Sequence, residues 1–534
     1  MYETTNSQYD CSMQQKTSPA ESAPMTHREV LEAMSGLLLA LFVAMLSSTV
    51  VTNALPRMVA DLHGTESGYT WVVVATMLTM TATTPLWGKL ADLVDKKLLV
   101  QSALVIYVVG SIAAGFSQSM GFLIGARALQ GIGVGGLTAL VQVVIATMVS
   151  PRERGRYSGY IGAVFAIATV SGPLIGGLIV DTVGWRWCFG VGIPVAALAF
   201  VVLQKTLHLP SLPHREVKVD YLGAGLIAAG VSTLLIWVSL AGTEYDWASV
   251  TTVVLVLLGL GLLAVAVVVE LMVAEPIIPM RLFRERTICL SVFASIMIGI
   301  AMFGATVFTS QYFQVARGMS PTHAGLMSIT MVGGLMVSSL VSGRLITRYG
   351  RWKPYLVSGM GLAAVGLVLL GTIDAHTPLV EVGAFMAVLG IGIGMSMQNL
   401  VLSVQNTVDV SDLGAASSLV AFFRSLGGSI GISALGAVLS HLVRHNMLAG
   451  LSGIGVSLPS GSDGSEIPDV STLHEPIRAV VENAFGDATG NIFWYSVPFA
   501  VLAFIAVLFI KEVPLRTYVA QESEGELLAA TAEH

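Results

Sequence analysis

The sequence predicts an all-α polytopic membrane protein: two six-helix bundles with two further helices inserted between them, fourteen transmembrane helices in all. Three observations predict it. The 534-residue chain is 54% hydrophobic and 11% charged, whereas soluble domains carry about 25% charged residues. Apolar stretches recur along it, each near the roughly 20 residues that cross a hydrocarbon core. Short motifs return eight spans later, as two related halves require.

The spans are expected, in order, over 33–55, 70–88, 98–117, 122–148, 157–179, 187–206, 221–241, 249–272, 288–310, 323–343, 354–373, 379–403, 414–441 and 493–511. Residues 1–30 form a polar tail without the apolar core of a secretory signal. Residues 31–206 hold the first six spans, and 207–273 form a linker with the two inserted helices. Residues 274–511 hold the last six spans, with an external loop over 444–490, and 512–534 are a second tail. That loop is rich in Gly and Ser, then acidic, and reads as solvated with one short surface helix.

Orientation follows from Lys and Arg. Lys89, Lys96, Lys97, Arg152, Arg154, Arg156, Arg281, Arg284, Arg344 and Arg348 fall in alternate connections, on the side of the N-terminal tail. The positive-inside bias puts that side, and both termini, in the cytoplasm.

The repeats are weak but ordered. Gly88-Lys-Leu-Ala-Asp-Leu-Val-Asp-Lys-Lys97 follows span 2, and Gly343-Arg-Leu-Ile-Thr-Arg-Tyr-Gly-Arg-Trp352 follows span 10. Gly131-Ile-Gly-Val-Gly135 in span 4 matches Gly390-Ile-Gly-Ile-Gly394 in span 12. A solute site between the two halves is the default expectation for this plan.

Two fixed charges interrupt apolar spans. Arg127 in span 4 must face protein or a water-filled cavity, because lipid would cost it several kcal/mol. Gln130 lies one turn on, and Gln142 further along the same helix. This group is read as a coupling or cavity site, or else as a structural hydrogen-bond hub. Met386 occupies the repeat-related place, so that charge belongs to one half alone. Arg424 in span 13 either joins the cavity or snorkels toward the cytoplasm. Thr49, Asn53, Gln398 and Asn399 are polar spots that line the cavity or join helices. Gly172-Pro173, flanked by Gly176 and Gly177, is a packed kink in span 5.

Taken together, Leu46-Ser-Ser-Thr-Val-Val-Thr-Asn-Ala-Leu-Pro56, Gly88-Lys-Leu-Ala-Asp92, the Arg127/Gln130/Gly131/Gly133 run, Gly162 with Gly172-Pro173-Leu-Ile-Gly176-Gly177, and Trp185-Arg-Trp187 with Pro194 stand at successive spans. In this order they resemble the major facilitator superfamily, and within it the fourteen-span drug:proton antiporters of bacteria. The resemblance covers about residues 30 to 515. It implies a major facilitator fold in a bacterial cell membrane and the export of small amphipathic drugs or antibiotics in exchange for protons. It implies a gating role for Gly88, Asp92, Lys96 and Lys97, with Asp92 latching the two halves; otherwise Asp92 is a solvated loop acid. It implies a seal at Gly172, Pro173, Gly176 and Gly177. Two departures stand out. Ser47 replaces the family's span 1 acid, and Leu93 and Asp95 replace an Arg and a Gly of the loop motif.

No Asp, Glu or His lies deep in any span; the nearest acids are Glu32, Asp61, Asp92, Asp181, Asp220 and Glu270, all near helix ends. Either one of these carries the proton, or the substrate does, or coupling differs. A lone buried Arg127 suits a neutral, zwitterionic or anionic amphipath better than a strict dication.

Other functions fare worse. The three cysteines, Cys11, Cys188 and Cys289, have no paired spacing, so neither a disulfide nor a zinc site is expected. Gly131-x-Gly133-x-x-Gly136 lies inside a membrane helix, not after a strand, and is not a dinucleotide site. No G-x-x-x-x-G-K-S/T and no H-E-x-x-H occurs, so neither an ATP-driven pump nor an enzyme is expected, and a membrane sensor has no evident use for two repeated halves. No cofactor, metal or nucleic-acid partner is expected, and the chain reads as a monomer in the bilayer. Export of a lipid or an endogenous natural product stays open as a cargo alternative.

Overall fold

The computed structural model describes residues 27–63, 66–209, 220–242, 245–273, 275–453 and 475–515. They form helices α1 (His27–Asp61), α2 (Glu66–Leu93), α3 (Lys96–Gly115), α4 (Met120–Met148), α5 (Pro151–Thr182), α6 (Trp187–Gly190), α7 (Gly192–Thr206) and α8 (Tyr221–Leu240). Then follow α9 (Val250–Met272), α10 (Arg286–Gln311), α11 (Pro321–Met327), α12 (Ile329–Tyr349), α13 (Lys353–Leu370), α14 (Leu379–Gln405), α15 (Leu413–Gly453) and α16 (Ile477–Leu508).

Thirteen of the described segments are long and apolar enough to cross a membrane, with α6–α7 and α11–α12 each acting as one span. The fourteenth, α2, has 28 residues. Thr76, Thr79, Thr81, Thr83 and Thr84 dilute its apolar character. It tolerates them because it packs against α4 and α15, and each hydroxyl of Thr79, Thr83 and Thr84 donates to a carbonyl one turn back in its own helix.

The pairings repeat. In the first half α1 packs on α5, and α4 on α2 and α3; in the second half α10 packs on α15, and α14 on α12 and α13. The glycine triplets explain the α4 and α14 pairings. Gly131 and Gly135 press on the backbone of α2, and Gly133 on that of α3. Eight spans later Gly390 and Gly394 press on α12, and Gly392 on α13. Helices associate in lipid largely through such close packing, which only small residues permit. A methyl at Gly390 would lie 1.9 Å from Met331 O. Gly390→Ala is therefore expected to cost about 1–3 kcal/mol through overpacking, read as a lower thermal midpoint of the purified protein; an unchanged midpoint would refute the tight contact.

The expected loop over 444–490 is shorter than its sequence suggests. Helix α15 continues to Gly453 and α16 begins at Ile477. Arg444 and His445 lower the hydropathy there, but the helix persists because Met447 and Leu451 are buried, with Met447 packed on Val481 and Ala484. Residues 454–474 of that loop, and most of the two tails, lie outside the described residues.

The first and last helices share one end of the bundle. Gly36 of α1 packs on Val202 and Leu203 near the end of α7, where Lys97 bonds Gln204 O. After α16, Glu512 and Val513 hold Trp352. Lys89, Lys96, Arg152, Arg154, Arg281 and Lys353 gather there, and we call it the basic end.

Candidate transport site and gate

Helices of the two halves meet along two seams, α2 with α15 and α5 with α12. Side-chain bonds across both seams lie at the basic end. Asp92 Oδ1 accepts from Gly414 N at 2.8 Å and Oδ2 from Ala415 N at 2.9 Å. These amides open α15, so the carboxylate sits on the positive end of a helix dipole. Gly88 permits the approach: a methyl there would meet Ser418 Oγ at 2.0 Å. Burial pushes the Asp92 carboxyl up to about 7, against the pull of the Ala415 and Gly414 amides, Lys96 and Lys89. Asp92 lies beyond the span's apolar stretch, where solvent can reach it once the seam parts.

Lys96 stands beside Asp92, but Lys97 does not join them. Its Nζ donates to Gln204 O at 2.8 Å, while Asp95 caps α3 by accepting from Leu98 N. Two further bridges close the same end. Lys89, 4% exposed, holds Glu275 at 2.9 Å, and Arg281 holds Asp412 at 2.8 Å. At the other seam Gly155, Gly159 and Gly162 meet Gly343, Leu340 and Ser339. Arg152 Nε donates to Thr347 O at 3.2 Å.

The raised Asp92 value has a linkage consequence. In the closed seam its carboxyl titrates near 7; freed into water it would titrate near 4. The closed form then binds more protons between those values, so closure gains as pH falls through 7 toward 4. Asp92→Asn is expected to remove up to one proton from the pH slope of closure. Distance measurements between labels across the α2–α15 seam would check this; an unaltered slope would overturn it.

The interior holds a second constellation. Arg127 on α4 is 3% exposed. Its Nη1 donates to Gln130 Oε1, and Gln130 Nε2 donates to Ser111 Oγ at 2.7 Å. The Arg127 guanidinium lies 5.9 Å from the Phe189 ring centroid, and its Nε has no partner among the described residues. The Tyr107 hydroxyl faces Ser111, Ser47 and Gln130, although Ser47 Oγ itself makes no hydrogen bond of normal geometry among the described residues. Tyr107 and Ser111 escaped the sequence reading. Their four-residue spacing puts both on one face of α3, and that is the signal that could have found them.

Arg424 is 7% exposed, eleven residues into α15, with Nη1 unpartnered among the described residues. It does not reach solvent. Thus α4 and α15 each bury a guanidinium, and no salt bridge to either is formed among the described residues. An unpaired buried cation is expensive, and pairing with an incoming anion would relieve it.

The other expected residues sit as follows. Thr49 is half-buried, its hydroxyl 3.1–3.3 Å from Met45 O, Leu46 O and Ala168 O. Gly172 packs on Thr49 and Gly176 on Val50, so both serve the α1–α5 contact; Gly177 meets nothing within 4 Å. Gln142 is buried, with Oε1 lacking a partner among the described residues. Gln398 is buried, and Asn399 Nδ2 donates to Met395 O in its own helix. The side chains of Asn53 and Pro173 lie outside the described residues.

The arrangement is one of two helical halves bonded to each other at one end. Residues 37–432 match the Major Facilitator Superfamily. The chain belongs to that superfamily. Among its relatives is an uncharacterized MFS-type transporter of Mycobacterium tuberculosis, 36% identical, the match covering 90% of this chain and 69% of the relative. Another is the multidrug transporter protein MdtP of Bacillus subtilis, 31% identical over 93% of this chain and 96% of the relative. A solved major facilitator structure, the proton:xylose symporter XylE, superposes with a TM-score of 0.61 at 14% identity, covering 93% of this chain and 99% of that one. The protein is therefore a polytopic membrane transporter of small molecules and not an enzyme. Among the described residues no group of three or more His, Cys, Asp or Glu could hold a metal ion.

Proposed function

We propose that the protein exports small amphipathic compounds across a bacterial cell membrane by alternating access, as a monomer, in exchange for protons. Relatives named multidrug transporter or efflux pump support export. The lysine and arginine bias supports a cytoplasmic basic end with both termini inside. The conformation described is then closed to the cytoplasm.

One observation carries the cargo reading: Arg127 and Arg424 are buried cations without an acid in salt-bridge reach among the described residues. A site so furnished favours anionic or zwitterionic amphipaths and disfavours dications. Dye efflux from a pump-deficient host, with and without a protonophore, tests the proposal. Extrusion should stop when the proton gradient collapses, and efflux indifferent to the protonophore would overturn the exchange.

A further inference from the structure

Helices α8 and α9 form a hairpin whose feet at the basic end carry two acids. Asp220 caps α8, its Oδ1 accepting from Gly223 N at 2.8 Å. Glu270 lies near the end of α9, its Oε2 accepting from Ile278 N at 3.0 Å. Each acid thus commits one carboxyl oxygen to the backbone. The other two, Asp220 Oδ2 and Glu270 Oε1, are buried and have no hydrogen-bond partner among the described residues. Both press on one point. A methyl on Gly223 would meet Asp220 Oδ2 at 2.1 Å and Glu270 Oε1 at 2.7 Å, so the oxygens are no farther apart than those two distances together. The residues are 7% and 3% exposed.

Two bare, buried carboxylate oxygens this near each other repel, and the repulsion favours a proton on the pair. Among the described residues the neighbours relieve the repulsion only in part, through Lys89. From α2, Lys89 and Asp92 face this region; from the connection after α9, Glu275, Arg281 and Arg284; from the turn before α15, Asp412. Lys89 is bound to Glu275, Arg281 to Asp412, and Asp92 to the α15 amides. Arg284 is exposed, and Arg424 of α15 lies eleven residues deeper in its helix. Among the described residues no base is bonded to either free oxygen.

We propose that Asp220 and Glu270 form a proton-binding site, holding one proton between Oδ2 and Oε1 while the basic end is closed. Its part in export rests on the exchange mechanism proposed above; the site itself does not. Occupied, the pair is one carboxylic acid donating to one carboxylate, with a net charge of −1. Glu270 lines a cavity of about 700 Å³ at the basic end, shared with Lys89, Glu275, Arg281 and Asp412. When the Lys89–Glu275 and Arg281–Asp412 bridges part, water enters and the proton leaves on that side. The inserted hairpin thereby supplies a titrating group at the basic end.

Infrared difference spectra of the whole protein in lipid nanodiscs, recorded as pH is raised, test this directly. Asp92 also titrates in this range, so the signal assigned to the pair is the protonated-carboxyl C=O band that bleaches in the parent and that Glu270→Gln abolishes. Asp220→Asn keeps the Oδ1 cap but removes the like charge. It should leave a Glu270 signal that titrates at least about one pH unit lower, the scale of a coupled pair. A signal untouched by both substitutions, or no signal at all, would overturn the site. Because the readout needs no transport, the two proposals fail separately. Protonophore-indifferent efflux with the signal present overturns exchange alone, and an absent signal with protonophore-sensitive efflux overturns the pair alone.

Discussion

Gly343→Val should reduce export to background while leaving the protein folded. The α5–α12 seam brings backbone against backbone: a Cβ on Gly343 would lie 1.9 Å from Gly155 O. No rotamer escapes that contact, so the larger residue must hold the helices apart. The clash belongs to this packed seam and would vanish if the two helices parted. Overpacking costs about 1–3 kcal/mol, which shifts the closed-to-open ratio by roughly five- to 150-fold. Ser339, 4% exposed on the same seam, offers the reporter. As Ser339→Cys, in a background with Cys11, Cys188 and Cys289 replaced by Ser, it should be protected in the parent and labelled from the basic end in the Gly343→Val protein. Full export by that variant would show that closure there is not part of the cycle.

Arg127→Gln should lose export of anionic and zwitterionic dyes at least tenfold and raise the thermal midpoint. Both effects have one cause. The guanidinium is 3% exposed, with Nε unpartnered among the described residues. Replacing an uncompensated buried charge by a neutral side chain removes its desolvation cost, so activity and stability should move in opposite directions. Arg127→Lys keeps the charge but not the planar fork and should retain part of the export. Efflux over a charge-ordered dye panel, with scanning calorimetry of the purified variants, reads both effects. Intact transport of every dye by Arg127→Gln would remove Arg127 from the substrate path.

Much of the fold was legible because membrane helices announce themselves by composition, and because Gly131-Ile-Gly-Val-Gly135 and Gly390-Ile-Gly-Ile-Gly394 recur in order. What the triplets touch was not legible; it needs the facing backbones of α2, α3, α12 and α13. Hydropathy misplaced the end of α15 because Arg444 and His445 look like loop residues, whereas Met447 and Leu451 are buried on the same turns. Asp92 stood out by its motif, but its partners are backbone amides 322 and 323 residues away. No side-chain pattern encodes these. Asp220 and Glu270 each looked like an ordinary helix-end acid. Fifty residues separate them, and only the turn of the α8–α9 hairpin brings their free oxygens onto one point.

The hairpin also makes the two flanks of the molecule unequal. It packs on α2 and α15 through one edge, while Val253, Leu257, Leu260, Val268 and Leu271 of α9 are left exposed on the outside. The α2–α15 seam is thus screened from the acyl chains, and the α5–α12 seam has no such shutter among the described helices. A greasy cargo arriving through the bilayer would meet, among the described helices, an uncovered seam on one flank and a covered one on the other.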